Sequence, residues 1–152
     1  MEKINFENNS EPYINAENLN QMQDNIENAI EDSIKTKLLI ITRNVKGESG
    51  EVSYTGVGFK PSKVSAFMSV DGTLYNSKGF CDMNLTNSCV YQSSANVYRN
   101  NSSNLVVCSD FSNWAQNGAI SSFDDDGFTI NWSKVGTPTI DGAMTIYVLC
   151  EK

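Results

Sequence analysis

Residues 126–132 read Asp-Gly-Phe-Thr-Ile-Asn-Trp, and this stretch decides the fold class. Large apolar and polar side chains alternate along it, so Phe128, Ile130 and Trp132 share one face of an extended strand. The Asp-Gly pair before them tolerates the positive φ angles that a tight hairpin needs. The stretch therefore predicts a hairpin strand with one buried face.

The same kind of pattern continues through most of the chain. Short segments rich in β-branched and aromatic residues alternate with turn residues, including further Asp-Gly pairs at Asp71 and Asp141. This spacing predicts a mainly β fold, an antiparallel β-sandwich head. The predicted strands are near residues 37–43, 51–54, 63–70, 79–83, 89–92, 105–109, 119–123, 128–133 and 143–150. The Ser- and Asn-rich segment 91–104 is predicted to be a long surface loop.

The N-terminal part of the chain has a helical period instead. Apolar residues recur in steps of three and four from Ala16, which predicts an α-helix that begins near Asn15 as its N-cap. One narrow apolar stripe does not keep an isolated helix folded in water, so the helix needs a partner. We expect a short coiled coil of identical helices, and the alternative is packing on the chain's own sheet. The residues assigned to oligomerisation are Leu19, Met22, Ile26, Ala29, Ile30 and Ile34.

Charge is concentrated at the same end of the chain. The net charge of −7 arises from 18 acidic and 11 basic residues, and residues 1–34 hold eight of the acids and only Lys3 as a base. The sequence thus predicts a helical attachment and oligomerisation segment over 1–36 and a β head over 37–152.

The sequence does not predict binding to nucleic acid or to a membrane. It has no cluster of Lys and Arg that would bind phosphates, and no apolar run long enough to cross a bilayer. The N-terminus lacks the features of a secretory signal, so synthesis in a cytosol is expected.

The composition excludes several classes of catalytic site and argues against others. The chain has no histidine, which excludes Ser-His-Asp and Cys-His catalysis. The four cysteines are expected to be reduced, with Cys108 and Cys150 buried in strands, and no zinc site is predicted. We expect a protein that is not an enzyme and needs no cofactor. The enzymatic alternative is a glycosidase that pairs Asp110 with a carboxylate of the run 124–126.

The run of three aspartates at 124–126, followed by Gly127, also invites a calcium hypothesis. Aligning Gly127 with the invariant glycine of a calcium-binding loop places Ser133 where the bidentate Glu is required. The pattern therefore favours a hairpin turn with solvated acids, and no metal site is predicted.

Aromatic side chains in polar surroundings are the candidates for a binding surface. Flat rings stack on the apolar faces of sugars, while neighbouring amide, carboxylate and guanidinium groups bind the hydroxyls. The candidate ligand-binding residues are Tyr91, Tyr98, Arg99, Asp110, Asn113 and Trp114. The alternative is that Trp114, with Phe111, anchors its loop to the core.

Several stretches resemble proteins of bacterial viruses. Residues 3–6, Lys-Ile-Asn-Phe, and 11–23, Glu-Pro-Tyr-Ile-Asn-Ala-Glu-Asn-Leu-Asn-Gln-Met-Gln, resemble the N-terminal segment of tail-fibre and baseplate proteins from phages and prophages of low-GC Gram-positive bacteria. Residues 56–64 and 120–132 are similar to β domains of the same proteins. The second of these, with 147–149, also resembles trimeric H-type lectin sandwiches. Residues 83–117 follow neither pattern, so no lectin residues carry over.

The resemblance implies a virion structural protein of fibre or spike type, assembled in the host bacterial cytoplasm. By resemblance, the N-terminal segment would attach to other virion proteins, the chain would form a homotrimer, and the head would contact a host cell-surface glycan. One alternative is a capsid decoration or head-fibre protein without receptor binding. A glycan depolymerase and a monomeric binding module are the others.

Overall fold

The computed structural model describes residues 15–33, 35–94 and 97–152 of the chain. The chain divides into two compact units, with the boundary between Lys35 and Thr36. The first unit contains the helix α1, Ala16–Ser33. The strands of the second unit are β1 Thr36–Asn44, β2 Gly50–Thr55, β3 Lys63–Val70, β4 Asn76–Asp82, β5 Asn87–Ser94, β6 Val97–Asn101, β7 Val106–Ser109, β8 Ala115–Asp124, β9 Gly127–Val135 and β10 Ala143–Glu151. In the described part of the chain, no helix is both long and apolar enough to cross a membrane.

The beginning of α1 agrees with the prediction. Asn15 Oδ1 accepts a hydrogen bond of 2.7 Å from the backbone N–H of Asn18, and the carbonyl of Asn15 accepts one of 3.2 Å from Leu19. The side-chain bond satisfies an amide that the helix itself leaves without a partner, and the bond from Leu19 is the first of the helix. Glu17 adds a favourable negative charge in the first turn. The predicted N-cap is confirmed.

The β unit consists of two antiparallel sheets in a sandwich-like arrangement. The six-stranded sheet has the order β1-β10-β3-β4-β5-β6, and the four-stranded sheet has the order β2-β9-β8-β7. One core cluster draws buried side chains from the inner faces of both sheets. The mainly β prediction is confirmed, and each segment predicted as a strand contributes to one.

The core is centred on the strand that the sequence singled out. Phe128 and Ile130 are completely buried and Trp132 is almost so. Trp132 donates a hydrogen bond from Nε1 to the Tyr54 hydroxyl at 3.3 Å, so its only polar atom is satisfied. Alternation along β9 therefore sets which face is buried, as predicted.

A buried amide ties the two sheets together. Asn87 on β5 accepts a 2.8 Å hydrogen bond from the backbone N–H of Ile120 and donates one of 3.0 Å to its carbonyl. Ile120 lies on β8 in the other sheet, where the register shifts between Ile120 and Ser122. The Asn87 side chain thus pairs the backbone where the β8–β9 ladder is irregular.

The predicted loop over 91–104 is wrong, because this segment contains the end of β5 and the whole of β6. Tyr91 pairs with Arg99, and Gln92 pairs with Tyr98. β6 lies at the edge of its sheet and is largely exposed. An exposed edge strand needs few apolar side chains, so its Ser/Asn-rich sequence carries no period-two signal.

The three Asp-Gly pairs behave differently from one another. Gly72 has φ 70° in the β3–β4 turn, as predicted. In the β8–β9 hairpin the turn residues are Asp125 and Asp126, and Gly127 opens β9, where a Cβ would lie 1.9 Å from the Tyr54 carbonyl oxygen. The pair at Asp141 precedes β10, which belongs to a different sheet from β9, so no hairpin forms there.

We expect Gly118→Ala to destabilise the β unit. A Cβ at Gly118 would lie 2.7 Å from the Trp132 ring, which is fully packed in the core. Overpacking of this kind lowers the free energy of unfolding by about 1–3 kcal/mol, measurable by urea unfolding. Ala119→Ser, at the next position on β8, changes the opposite face and should cost less than about 0.5 kcal/mol. Equal stabilities of Gly118→Ala and the unaltered chain would contradict the described packing.

Candidate functional site

The β unit has two ends that differ in what they carry. β1 begins at Thr36, which pairs with Glu151, and Glu151 pairs in turn with Lys63. We call this end, where the chain enters the unit, the entry end. The β3–β4 turn and the β7–β8 loop lie at the opposite end, which we call the distal end.

The β7–β8 loop at the distal end holds one residue in a strained conformation. Phe111 has φ 70°, in the left-handed region, which costs a non-glycine residue about 1 kcal/mol. Asp110 holds the loop in this shape, because its Oδ1 accepts hydrogen bonds from the backbone N–H groups of Ser112, Asn113 and Trp114 at 3.0, 2.7 and 3.0 Å. Its Oδ2 accepts another, of 3.0 Å, from Asn113 Nδ2. The loop is therefore built to hold Phe111 in place.

The same hydrogen bonds control the ionisation of Asp110. Desolvation acts to raise the pKa of this carboxyl group. The bonds from the backbone of Asn113, Trp114 and Ser112 and from the Asn113 side chain outweigh desolvation, and they hold the pKa of Asp110 well below its usual range. The charged form of the side chain is thus a structural part of the loop.

The Phe111 ring lies in a small cluster with two neighbours from β5 and β6. Tyr91 is 5.3 Å away between ring centroids, at 55° between ring planes. The Arg99 guanidinium carbon lies 4.4 Å from the Phe111 centroid, and Arg99 Nη1 donates to the Phe111 carbonyl at 3.4 Å. We call Tyr91, Arg99 and Phe111 the Phe111 cluster. The cluster combines aromatic ring surface with the positive charge of Arg99. In the described part of the chain, the other N–H donors of the Arg99 guanidinium have no protein acceptor.

The structure brings together only part of the predicted ligand-binding set. Tyr91, Arg99, Asp110 and Asn113 lie at the distal end around Phe111, whereas Tyr98 is on the other face of its sheet, opposite Gln92. The prediction that Trp114 contacts a ligand is wrong. It is 1% exposed and packs on Tyr75, with 5.3 Å between ring centroids, which is the anchor alternative.

Sequence reasoning did not include Phe111 among the binding residues. Phe111 entered only in the alternative in which it anchors the loop together with Trp114, and the local sequence carries no signal for a left-handed phenylalanine. The backbone conformation depends on the carboxylate of Asp110, and the ring contacts depend on pairing between β5 and β6.

The carboxylates considered for a glycosidase are far apart. Asp110 precedes β8, while the run 124–126 begins at the last residue of this ten-residue strand, at its other end. Ten strand residues span about 33 Å, whereas glycosidase carboxyl groups lie roughly 5–9.5 Å apart. This pair is therefore not assembled, while the absence of enzymatic activity stays a prediction.

The aspartates at the entry end have structural partners. Asp126 accepts hydrogen bonds from the backbone N–H groups of Gly56 and Gly58 at 3.0 and 2.6 Å, and these bonds lower the pKa of Asp126. Asp124 accepts hydrogen bonds of 3.0 Å from the hydroxyls of Ser122 and Thr129. Across the described ranges, no group of three or more Cys, Asp or Glu side chains is arranged to hold a metal ion.

A second strained residue lies at the entry end. Leu85 has φ 60° in the β4–β5 turn and is 40% exposed. Its side chain lines a pocket of about 490 Å³. The other residues that line this pocket are Lys60, Pro61, Ser62, Met83, Ser121, Ser122 and Phe123.

The outer faces of the two sheets have opposite character. On the four-stranded sheet, the outward residues of β9 include the polar side chains Thr129, Asn131 and Ser133, and Val135 at the end of the strand, which is apolar and 57% exposed. On the six-stranded sheet, large apolar side chains between 39% and 63% exposed lie next to one another across the strands. We call them the apolar face, and they are Leu38, Ile40, Phe67, Phe80, Tyr147 and Leu149.

The apolar face surrounds a groove of about 420 Å³. Ser65 lies on β3 between Leu149 of β10 and Phe80 of β4, so a small side chain is flanked by large ones. Phe67 and Tyr147 form one wall, with ring centroids 6.4 Å apart. An opening of this shape suits an apolar side chain.

The predicted oligomerisation stripe lies along α1. Met22, Ile26 and Ile30 are each more than half exposed, and Ala29 is also exposed, while Leu19 is partly buried. Ile34 lies outside the described residues, as do residues 3–6 and the first part of 11–23 in the phage-like segment. The coiled coil stays a prediction.

Three comparisons with known proteins found nothing: no family model, no curated protein and no solved structure matches this chain.

We expect the pH dependence of stability to reveal the role of Asp110. A folded-state pKa below the ordinary value of about 3.9 means that the stabilisation is present above that pH and is lost as the pH falls through the folded pKa. Asp110→Asn should lower the melting temperature at pH 7 and flatten its fall below about pH 4. Asp125→Asn, in the exposed hairpin turn, is the control. If the melting temperatures of Asp110→Asn and of the unaltered chain fall in parallel as the pH is lowered across this range, the Asp110 carboxylate does not have this stabilising role.

Proposed function

We propose that this chain is a non-enzymatic structural subunit of a bacterial virus particle, of fibre or spike type, which presents the Phe111 cluster to a glycan on the host surface. The observation that carries the proposal is the position of this cluster, at the end of the β unit opposite the one where the chain enters. A fibre protein attached through its N-terminal segment needs its receptor-binding groups at the far end. The resemblance of residues 11–23 to phage tail proteins supports the same role.

The chemistry of the cluster suits a sugar. A pyranose ring has an apolar face that stacks on an aromatic ring, and its hydroxyls accept hydrogen bonds from a guanidinium group. Phe111 and Tyr91 offer partly exposed rings, and Arg99 offers donors. Ser112 and Asn113 are exposed beside them and add polar atoms.

The strain at Phe111 is also consistent with binding. A large residue persists at positive φ only where the surroundings hold it, and such residues concentrate at functional sites. Four hydrogen bonds to Asp110 hold this loop before any ligand arrives. Because the loop is ordered in advance, binding loses less conformational entropy.

In this proposal the two units have different tasks. The N-terminal segment docks on another virion protein, α1 contributes to a homotrimer through its exposed stripe, and the β unit displays the loops. No cofactor, nucleic acid or membrane takes part. The polar outer face of the four-stranded sheet would face water in such an assembly.

We expect Phe111→Asn to abolish glycan binding without loss of stability. Asparagine tolerates positive φ, so the change removes the ring and keeps the loop conformation. Leu85→Asn is the matched control, since it makes the same replacement at the other strained position, at the entry end. Binding to an array of bacterial cell-surface glycans and to purified Gram-positive cell walls should fall by about tenfold or more for Phe111→Asn and Arg99→Ala only.

Melting temperatures of all three variants provide the second readout. If Phe111→Asn binds as well as the unaltered chain, the cluster is not the glycan site. If the unaltered chain binds neither array nor walls, the result favours the capsid decoration or head-fibre alternative.

A further inference from the structure

Two strands of the six-stranded sheet are apolar on both faces. β1 contains Leu-Leu-Ile-Ile at 38–41, and β10 contains Ile-Tyr-Val-Leu at 146–149. A strand with one wet face alternates between polar and apolar residues, whereas continuous apolar runs are typical of strands covered on both faces. The inner residues of these runs are in the core, and the outer ones form the apolar face. The sequence of these strands thus indicates a partner on the outside.

The four-stranded sheet provides the comparison within the same molecule. Its strand β9 alternates from Phe128 to Ser133, with Phe128, Ile130 and Trp132 inside and polar residues outside, and the exposed Val135 at its end departs from this pattern. The same chain therefore distinguishes an outer face suited to water from one that is not. A patch of six large apolar side chains is unusual on a monomer's surface and typical of an interface.

We infer that a second copy of this chain covers the apolar face, so that copies meet mainly through their six-stranded sheets and not through their helices. This inference deepens the proposed virion role and rests on its oligomeric part.

The outer face of the six-stranded sheet has the size of an interface between copies. Its six strands, about 4.8 Å apart and about 25 Å long, give the whole outer face an area of roughly 700 Å². The apolar face is the part of this area on β1, β10, β3 and β4. A standard protein interface buries about 800 Å² on each partner. The whole outer face of this sheet, which includes the apolar face, is therefore large enough for a stable contact with a second copy.

Charge favours contact through the sheets over contact through the helices. Residues 36–152 carry nine basic and ten acidic side chains, so two β units hardly repel one another. α1 carries five acidic residues and no basic one, so parallel copies of the helix repel along their length. Lys63 lies at the margin of the apolar face, paired with Glu151 at 2.7 Å, whereas Lys78 on β4 lies next to Phe67 and lines the groove. Charged groups at the rim of an interface remain in contact with water.

The native cysteines allow a direct test of whether the face is covered. All four are free and buried, and burial raises the pKa of Cys81 and Cys150 to about 11 and of Cys89 and Cys108 to about 12. Buried thiols of this kind react slowly with maleimide. A cysteine introduced at the surface therefore labels selectively in the full-length chain.

We expect Ser65→Cys, at the floor of the groove, to be protected in concentrated protein and to label about tenfold faster or more after dilution. Ser133→Cys, on the outer face of the other sheet, is the matched control and should label at the same rate at both concentrations. The inference would be overturned if the protein has the mass of one chain and Ser65→Cys is equally protected at both concentrations. That result would show that the chain covers its own apolar face.

Mass by light scattering tests the residues of the face. The full-length chain should have a multiple of 16.8 kDa, and Ile40→Asp or Tyr147→Asp should reduce it to one chain with an unchanged circular dichroism spectrum. Asn131→Asp should leave the mass unchanged. A monomeric unaltered chain would overturn the inference, and so would an oligomer that Ile26→Asp dissociates and Ile40→Asp does not. Phe111→Asn tests the proposed function separately, because it removes glycan binding while leaving the mass unchanged.

Discussion

Burial of the inner faces of the two sheets against each other is the constraint on which the rest of the β unit depends. The side-chain period of a strand is two, so a slip of one residue in β9 would turn Phe128, Ile130 and Trp132 out to water. That loss sets the register of β9 on β8. Register in turn determines which residues lie side by side on neighbouring strands, such as Trp132 next to Gly118.

The packed core also explains how strained loops persist at both ends. Phe111 and Leu85 have positive φ, and each sits in a turn whose strands are held by the core. An aspartate closes both turns: Asp110 accepts from three backbone N–H groups, and Asp82 accepts at 3.0 Å from those of Asn84 and Thr86. The rigid scaffold and the strained loop together hold a large side chain in a fixed position at each end of the β unit, which a flexible loop would not do.

The difference between the two outer faces links the fold to assembly. A sandwich needs only its inner faces to be apolar, so the packing of the two sheets does not account for the apolar outer residues of β1, β3 and β10. If copies meet there, the distal loops of neighbouring copies are held in a fixed relation. Weak contacts between each loop and a repeated surface sugar would then add up through multivalency, as expected for a fibre-type protein. The strained distal loop and the apolar face would thus serve a single role.

The features that depend on neighbours along the chain could be predicted from the sequence alone: the cap of α1 at Asn15, the burial of alternate residues in β9, and the positions of most strands. These follow from periodicity and local hydrogen bonding, which act over a few residues. The folded structure was needed to show that Trp114 lies in the core, that Tyr98 and Tyr91 face opposite sides of the sheet, that β6 is a strand, and that Phe111 contacts Arg99. These depend on which strands pair and on hydrogen bonds between distant segments, so they arise from long-range contacts that no local pattern encodes.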